Sequence, residues 1–198
     1  MITKFYEPFN YVLHGRFDVS KIAEHVRQYA DEWFLDTSRQ TTSPVHKETN
    51  SVFIYDHKTN WSIYDPYELI VNESQKEMQE LIKPIVEYLE AHHGGKVGKC
   101  LFIKLPAHKS VGEHTDKQDY LNATRRHHIA IETNPDVLFF VNKEPKNMAV
   151  GECWEINNSK LHAVENNGDT ERIHLLIDIM PNKFIDKSFL KPQEMEKQ

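Results

Sequence analysis

The sequence lacks most of the features that mark secreted and membrane proteins. It contains only Cys100 and Cys153, which excludes a disulfide-rich scaffold and allows one disulfide at most. We expect both to be reduced thiols in a cytosolic protein. No apolar run approaches the roughly 20 residues that a membrane helix needs. The first residues also lack the long apolar segment of a signal peptide, so a cytoplasmic location is expected.

Positive charge is scarce as well. The chain has 24 Lys and Arg against 30 Asp and Glu, which gives a net charge of −6. Nucleic-acid binding by counterion release needs a basic surface, and the short Arg-Arg-His-His run at 125–128 does not provide one. Hydrophobic residues make up 39% of the chain and charged residues 27%, as in globular proteins. With a length of 198 residues, we expect the chain to form a single domain that spans residues 1–198.

Hydrophobic periodicity predicts two helices in the first half of the chain. One covers about 18–34, and the other starts near Ser74 and ends at Gly94. His92 and His93 fall in the last turn of the second helix, where polar or positive side chains suit the free carbonyl groups. We therefore interpret these two histidines as part of a helix end rather than as metal ligands.

From Gly98 onward, short apolar segments alternate with turn signals, and this predicts a β-barrel or β-sandwich. The predicted strands cover 100–105, 111–116, 126–132, 137–141, 148–156, 161–165 and 173–179. We expect residues 1–97 to supply helical support and substrate-side elements. Residues 98–182 would form the β-barrel core, and 183–198 a polar tail.

Three residues of this second half have the spacing of a metal site. His114 and Asp116 are two residues apart, so on a strand both side chains point to the same face. With His162 at the end of another strand, they form the two-histidine, one-carboxylate triad typical of non-haem Fe(II) oxygenases. The open coordination positions suit a bidentate 2-oxo acid and O₂. Zinc accepts the same ligands, so the triad alone does not fix the metal.

A late arginine gives this metal site a possible anion anchor. Arg172 opens the last strong strand, and a fixed guanidinium binds a carboxylate through two hydrogen bonds. The alternative is a surface arginine paired with a neighbouring acid. Arg126 and His128 share one strand face, and they can help to bind the acid if that face points into the barrel. If it points outward, they are ordinary solvated residues. His174, two residues after Arg172, is expected to be a satisfied core histidine.

Taken together, these motifs resemble the aspartyl/asparaginyl β-hydroxylase family, a branch of the 2-oxoglutarate-dependent oxygenases. The resemblance covers 113–181 closely. Its motifs are His-Thr-Asp at 114–116, Arg-x-His at 126–128, Gly-Glu-x-Trp-x-x-Asn-Asn at 151–158, His-x-Val-x-Asn at 162–166 and Arg-Ile-His-Leu-Leu-x-Asp at 172–178. Some animal members have Gly where this chain has Asp116. The retained carboxylate, and the segment 46–49, make the chain more similar to the bacterial free-proline hydroxylases.

The resemblance implies a mainly β fold, a double-stranded β-helix of the jelly-roll or cupin type, with two supporting N-terminal helices. It implies that His114, Asp116 and His162 bind Fe(II). It implies that Arg172 anchors the far carboxylate of the co-substrate 2-oxoglutarate, with Arg126 and His128 assisting. It also implies that the strands of His162 and Arg172 lie in opposite sheets, although the Asn-Asn-Gly-Asp turn between them looks like a hairpin loop.

The implied activity is hydroxylation of an amino-acid side chain, free or in a short peptide, with O₂ consumed and succinate and CO₂ released. No helical-repeat module is present to hold a protein, which favours a small substrate. The alternatives are hydroxylation of an Asp, Asn or Pro residue in a protein, and a cupin-like metal-binding protein with other chemistry or none. The oligomeric state cannot be deduced from the sequence.

The residues that contact the substrate are expected in loops around the metal site. Arg39 and His46 lie in the polar segment 36–50, which we predict to be a binding loop. Arg39 can meet a substrate carboxylate and His46 can hydrogen-bond it. Residues 117–124 are a second candidate wall, and either loop can close as a lid. Trp154 and Phe140 are candidates for apolar lining.

Overall fold

The structure is a computed structural model that describes residues 8–187, in which eleven strands and six helices occur. The strands are β1 (Tyr11–Arg16), β2 (Asn50–His57), β3 (Leu69–Val71), β4 (Gly95–Leu105), β5 (Lys109–His114), β6 (Arg125–Glu132), β7 (Val137–Val141), β8 (Glu144–Lys146), β9 (Glu152–Ile156), β10 (His162–Asn166) and β11 (Arg172–Pro181). The helices are α1 (Ser20–Val26), α2 (Glu32–Leu35), α3 (Ser38–Thr42), α4 (Lys76–His93), α5 (Asp119–Ala123) and α6 (Asn182–Ile185). Within this part of the chain, no helix has the length and apolar character needed to cross a membrane.

The strands form two antiparallel sheets that enclose a hydrophobic core. The larger sheet has seven strands in the order β1-β9-β6-β11-β4-β2-β3, and the smaller has four in the order β5-β10-β7-β8. Buried residues of both sheets pack together, among them Leu105 and Ile156 from the larger and Val111 and Phe139 from the smaller. The prediction of a mainly β, cupin-like double-stranded β-helix is confirmed. The larger sheet takes β1, β2 and β3 from residues 1–97, the region expected to supply helical support and substrate-side elements.

Strand β11 lies in the larger sheet between β6 and β4 and is buried on both faces. Successive side chains of a strand point to opposite faces, so its residues divide into two sets. Leu175 and Ile177 join the core beneath the helices. The alternate residues include Arg172, His174 and Asp178, which are buried polar groups on the face toward the smaller sheet. One face of β11 therefore packs in the hydrophobic core, and the other face presents buried polar groups toward the smaller sheet.

The turn between β10 and β11 carries the chain from one sheet to the other, as predicted. Asn166 is fully buried there, and its Nδ2 donates to the carbonyl oxygens of Leu105 at 3.2 Å and Thr170 at 2.9 Å. Its Oδ1 accepts from Asn134 Nδ2 at 3.1 Å. These bonds hold the turn against both sheets and prevent the hairpin that the local sequence suggests.

The long helix α4 confirms the second predicted helix, and it ends where Gly94 adopts a left-handed φ of 58°. The first predicted helix was wrong in extent, because two helices, α1 and α2, occur in the region of residues 18–34 instead of one. The chain turns between them so that Trp33 becomes buried, with its ring 5.9 Å from that of Tyr29. Burial of this large side chain outweighs the continuous helical periodicity.

The two segments predicted to be loops near the site are partly helical. Residues 36–50 contain α3 and a single 3₁₀ turn over Pro44–His46, and Gln40 Nε2 ties the segment down by donating to the Thr49 carbonyl at 2.7 Å. In 117–124, helix α5 buries Tyr120, whose ring stacks on His57 at 3.4 Å. Tyr120 therefore anchors the second segment to the rest of the fold.

Three smaller differences concern strand and tail boundaries. The strand predicted over 111–116 ends at His114, and residues 148–151 form a turn before β9. The short strands β3 and β8 were not predicted. The expected polar tail begins with α6, in which Phe184 is buried, while residues beyond 187 lie outside the described part of the chain.

Candidate metal centre

The structure brings His114, Asp116 and His162 together at one end of the smaller sheet. Strands β5 and β10 pair antiparallel with His162 opposite His114, and the two ring centroids are 4.2 Å apart. Asp116 lies just beyond β5, where its N–H donates to the Asn158 carbonyl at 3.1 Å. One ligand atom from each of the three residues lies within 4.8 Å of the others. Strand pairing therefore brings the two histidines together, and Asp116 joins them from the segment after β5 rather than through the i, i+2 spacing on one strand that we expected.

A hydrogen bond from Nδ1 to a backbone carbonyl orients each of the two imidazole rings. Nδ1 of His114 donates to the carbonyl of Gly112 at 2.8 Å, and Nδ1 of His162 donates to the carbonyl of Lys160 at 2.9 Å. A histidine whose Nδ1–H is engaged in this way presents an unprotonated Nε2 to a metal. Burial lowers the pKa of His162 to about 4, so its ring is neutral at physiological pH.

The carboxylate of Asp116 is held from one side. Its Oδ2 accepts from Arg126 Nη1 at 2.7 Å and from Asn158 Nδ2 at 2.8 Å. No described residue hydrogen-bonds Oδ1, which is left for a ligand. Burial opposes ionisation, but the nearby charge of Arg126 and the hydrogen bond from Asn158 outweigh it and lower the pKa of Asp116 to about 2. The group is therefore an ionised, oriented carboxylate.

Arg126 has different partners from those expected. Its face does point into the barrel, but Nε and Nη2 donate to the two oxygens of Asp178 at 2.9 and 2.8 Å. The remaining terminal nitrogen of the guanidinium, Nη1, donates to Asp116. Since these contacts engage Nε and both terminal nitrogens, Arg126 orients a candidate metal ligand instead of standing free to bind an oxo acid.

A cavity of about 400 Å³, counting space open to solvent, adjoins the trio. Its polar lining includes His114, His162, His128 and three arginines, Arg39, Arg126 and Arg172. Its apolar wall is made by Ile103, Val111, Phe139, Val164 and Leu176. A pocket with one apolar wall and three guanidinium groups, of which only that of Arg126 is paired with described carboxylates, suits a small, polar, acidic ligand.

Arg172 is 2% exposed and forms no ion pair with any described acid. One terminal nitrogen donates to His174 Nδ1 at 2.7 Å, while its Nε is buried without a hydrogen-bond partner. Burial and the charge of Arg39 lower the pKa of Arg172 to about 9, so it remains a cation at neutral pH. A buried cation without an anion is costly, and this one is satisfied if a carboxylate enters the cavity.

His128 and His174 add two further unsatisfied groups to the same region. Nδ1 of His128 and Nε2 of His174 are both buried with no partner, and their ring centroids are 5.9 Å apart. Burial and the charge of Arg172 lower the pKa of both histidines well below the usual value, which keeps the rings neutral. His174 is therefore not the satisfied core histidine that we expected.

Arg39 and His46 line the cavity on the helical side. Arg39 Nη1 donates to Ser51 Oγ at 3.0 Å, and the ring of His46 lies edge-to-face on that of His114 with centroids 5.2 Å apart. Burial lowers the pKa of Arg39 to about 10 and that of His46 to about 2. Both predicted substrate residues thus lie beside the candidate metal ligands.

Two other predicted lining residues lie elsewhere. Trp154 does not line the cavity; its Nε1 donates to Glu152 at 2.9 Å and its ring packs edge-on against Tyr11. It lies on β9, one strand farther from the centre than β6. Phe140 points away because strand alternation turns its neighbour Phe139 inward.

Sequence reasoning missed the roles of Asn158 and Asp178, which orient Asp116 directly and through Arg126. Both occur in motifs that carried the family resemblance. Arg172 and Asp178 are an even number of residues apart on one predicted strand. This spacing could have shown that the two side chains share a strand face.

The residues present fit a metal and an oxo acid. Two neutral imidazoles and one oriented carboxylate are the donor set of a facial triad with open positions, which suits Fe(II), although zinc accepts the same donors. The unpaired Arg172, with two unsatisfied imidazole nitrogens nearby, suits a carboxylate.

Comparison with known proteins adds to this geometry. A model of the aspartyl/asparaginyl beta-hydroxylase family matches residues 19–181. An oxidoreductase of the 2OG-Fe(II) oxygenase family from Burkholderia pseudomallei has a similar fold, with a TM-score of 0.54 at 12% identity over 84% of this chain and 91% of that one. A predicted oxalate decarboxylase from Thermotoga maritima aligns at a TM-score of 0.35 and 22% identity, over 46% of this chain and 72% of that one. No curated protein sequence matches significantly.

Proposed function

The chain belongs to the aspartyl/asparaginyl β-hydroxylase family, and from this premise we propose that it is an Fe(II)- and 2-oxoglutarate-dependent dioxygenase. It hydroxylates an amino-acid side chain, free or in a short peptide, and releases succinate and CO₂. The observation that carries the proposal is the buried, unpaired guanidinium of Arg172 in the same cavity as the His114, Asp116 and His162 trio.

The trio would hold the iron through Nε2 of each histidine and Oδ1 of Asp116. Bound iron would supply the oxidative chemistry, with 2-oxoglutarate as co-substrate and O₂ as oxidant. The chain's own residues prepare the ligands. Backbone carbonyls fix both imidazole tautomers, and Arg126 with Asn158 turns one carboxylate oxygen toward the site.

Arg172 would bind the far carboxylate of 2-oxoglutarate. His174 accepts one Arg172 N–H and so fixes the plane of the guanidinium. The unsatisfied His174 Nε2 and His128 Nδ1 then offer further bonds to an acid in this part of the cavity. The low-polarity wall of Phe139, whose ring lies 6.0 Å from the guanidinium carbon, strengthens such a pair by excluding water.

Arg39 would bind the carboxylate of the substrate, with His46 beside it. Among the described residues it has no acidic partner within ion-pair distance, although it is half-buried and lines the cavity. Two separate unpaired arginines in one small cavity support two separate acids, one from the co-substrate and one from the substrate. This is the reason that a free amino acid or short peptide is preferred to an internal residue of a folded protein.

The test is a screen of free amino acids and short peptides with Fe(II) and 2-oxoglutarate. We expect succinate release coupled to a product heavier by one oxygen. Arg172→Gln should weaken 2-oxoglutarate binding about 100-fold or more, because removing one partner of a buried ion pair costs about 3–5 kcal/mol. Arg27→Gln is the matched control, since Arg27 is an exposed surface arginine.

Two results together would refute the proposal. They are the absence of turnover with every substrate pool, and unchanged 2-oxoglutarate affinity in Arg172→Gln. Loss of affinity without turnover would instead leave the cofactor assignment intact and direct the search to Asp, Asn or Pro residues of protein substrates.

A further inference from the structure

A second group of metal-binding side chains lies on the opposite face of the seven-stranded sheet. His127 follows Arg126 and precedes His128 on β6, so it points away from the cavity that those two line. There it meets residues of three other elements: His14 of β1, His93 of α4 and Glu155 of β9. One ligand atom from each of the four lies within 4.8 Å of the others.

The fold assembles this histidine cluster through specific backbone features. His127 and Glu155 are direct neighbours across β6 and β9. His14 lies at an irregularity in β1, where the pairing with β9 shifts between Leu13 and Gly15. The φ of Gly15 is 142°, which favours glycine and permits the bulge that directs His14 toward the cluster.

His93 reaches the cluster from the last turn of α4. It is the final helical residue before the left-handed Gly94, so the helix end places its ring over the sheet. Its Nε2 lies 2.9 Å from Nε2 of His127. The sequence interpretation of this residue as part of a helix end is therefore incomplete.

A backbone hydrogen bond orients one of the four donor atoms as in the first site. Nδ1 of His127 donates to the Ile177 carbonyl at 3.2 Å, which leaves Nε2 unprotonated and pointing into the cluster. His14 Nε2 lies 2.9 Å from Glu155 Oε2. Arg125 contacts both carboxylate oxygens, since its Nε lies 2.9 Å from Oε1 and its Nη2 donates to Oε2 at 3.1 Å, and it holds Glu155 as a cation outside the four residues.

Burial and neighbouring groups shift the pKa of three of the four side chains. Burial lowers the pKa of His127 to about 3 and that of His93 to about 4, so both rings are neutral at physiological pH. Burial opposes ionisation of Glu155, but the hydrogen bond from His14 and the charge of Arg125 outweigh it and lower its pKa to about 2. Nε2 of His93 and Nε2 of His14 both donate a proton in these contacts, so metal binding needs a change of tautomer at both histidines.

We propose that His14, His93, His127 and Glu155 form a second metal site that holds one zinc-like divalent cation. Bonds of about 2.0 Å in a tetrahedral zinc site put the ligand atoms about 3.3 Å apart. In the structure, two pairs of ligand atoms are 2.9 Å apart, and the ligand atoms of all four residues lie within 4.8 Å of one another. The ideal separation of about 3.3 Å lies within this range. Small side-chain rotations complete the coordination sphere.

Four protein ligands make this a closed, structural site rather than a catalytic one. The ion joins the end of α4 and strand β1 to the outer face of β6 and β9. The proposal is independent of the oxygenase assignment, because none of its ligands lines the first cavity. Softer nitrogen donors predominate, which favours zinc over magnesium or calcium.

The experiment measures zinc stoichiometry in His162→Ala, a variant in which the first site is disabled. After chelation and dialysis, we expect this protein to bind one equivalent of Zn²⁺. Co²⁺ should also give the intense visible absorption of tetrahedral coordination, which a six-coordinate site lacks. Adding Glu155→Gln, which keeps the side-chain shape, should weaken binding about 100-fold or more, since even outer partners of metal-binding histidines contribute about 10–100-fold.

A neighbouring histidine provides the matched control. His92 precedes His93 and its ring lies 4.7 Å from that of His14, but it stacks on Tyr88 and supplies none of the four donors. In the His162→Ala background, His92→Gln should keep one tight Zn²⁺ equivalent and the tetrahedral Co²⁺ spectrum. His93→Gln should lose both, and because His93 is only partly buried this variant serves if Glu155→Gln does not fold.

The proposal is overturned if folded His162→Ala binds no Zn²⁺, or if His93→Gln retains the stoichiometry and spectrum of the His92→Gln control. Far-ultraviolet circular dichroism verifies that each variant is folded before titration.

Discussion

Replacing Asp178 by Asn tests how far the candidate metal centre depends on a residue that does not touch the metal ligands. Asp178 is fully buried and receives two hydrogen bonds from Arg126, at 2.9 and 2.8 Å. Asparagine keeps the size but removes the negative charge. Its amide nitrogen also places a donor against a donor of the guanidinium. Arg126 then retains Asp116 as its only anionic partner.

The expected loss of stability follows from this burial. Removing one partner of a buried ion pair costs about 3–5 kcal/mol, and the remaining bond from Arg126 to Asp116 puts the loss near the lower end, about 3 kcal/mol. For a protein of about 150–250 residues, each kcal/mol lowers the melting temperature by about 2–4 °C. The melting temperature of Asp178→Asn should therefore fall by about 6–12 °C.

Differential scanning calorimetry of metal-free protein measures this shift. Asp169→Asn is the matched control, because its side chain is 97% exposed and its ion pair with His108 lies at the surface. We expect that control to remain within about 0.5 kcal/mol of the wild type. If Asp178→Asn melts within 2 °C of the control, the pair with Arg126 contributes little, and the argument that it secures Asp116 is wrong.

Three further predictions concern the cavity, the backbone and the pH dependence of stability. Arg39→Gln should raise the substrate KM about tenfold or more, as expected for loss of a charged hydrogen bond, without changing the KM for 2-oxoglutarate; an equal change in both would contradict separate acid sites. A Cβ at Gly98 would lie 2.2 Å from a buried tyrosine hydroxyl, whereas a Cβ at Gly112 meets nothing within 4 Å. In urea titrations Gly98→Ala should therefore lose about 1–3 kcal/mol and Gly112→Ala much less. His93 and His127 have folded-state pKa values of about 4 and about 3, below about 6.5 in the unfolded chain, so the unfolded state binds more protons at low pH. The melting temperature of chelator-treated protein should fall as the pH drops from about 6.5 to 4, and a constant or rising value would refute these assignments.

The fold was largely predictable because its strands carry strong local patterns. The apolar run of β11 and the turn signals that separate β6, β7 and β10 are visible in the sequence alone. The division of 18–34 into two helices was not, because it depends on where Trp33 finds a buried position. The short strands β3 and β8 were also missed, since three residues carry too little periodicity to predict a strand.

The sequence predicted which residues form the candidate site better than it predicted the contacts that they make. Motif spacing indicated His114, Asp116 and His162, and the structure brings them together. The same spacing could not show that Arg126 is engaged by two carboxylates, because that pairing arises only when β6 and β11 lie side by side. The histidine cluster had no sequence signal at all, since its four members come from four separate elements.

The alternation of β6 has a consequence for how this protein can change over evolutionary time. Arg126 and His128 line the cavity, while Arg125 and His127 face the histidine cluster, so a single strand supplies both centres from opposite faces. Insertion or deletion of one residue within this strand would exchange the two faces for all the residues on one side of the change. Substitutions can alter one centre alone, but a change of length within β6 would disrupt both at once. Variation in length among descendants of this chain should therefore be confined to the connections on either side of the strand.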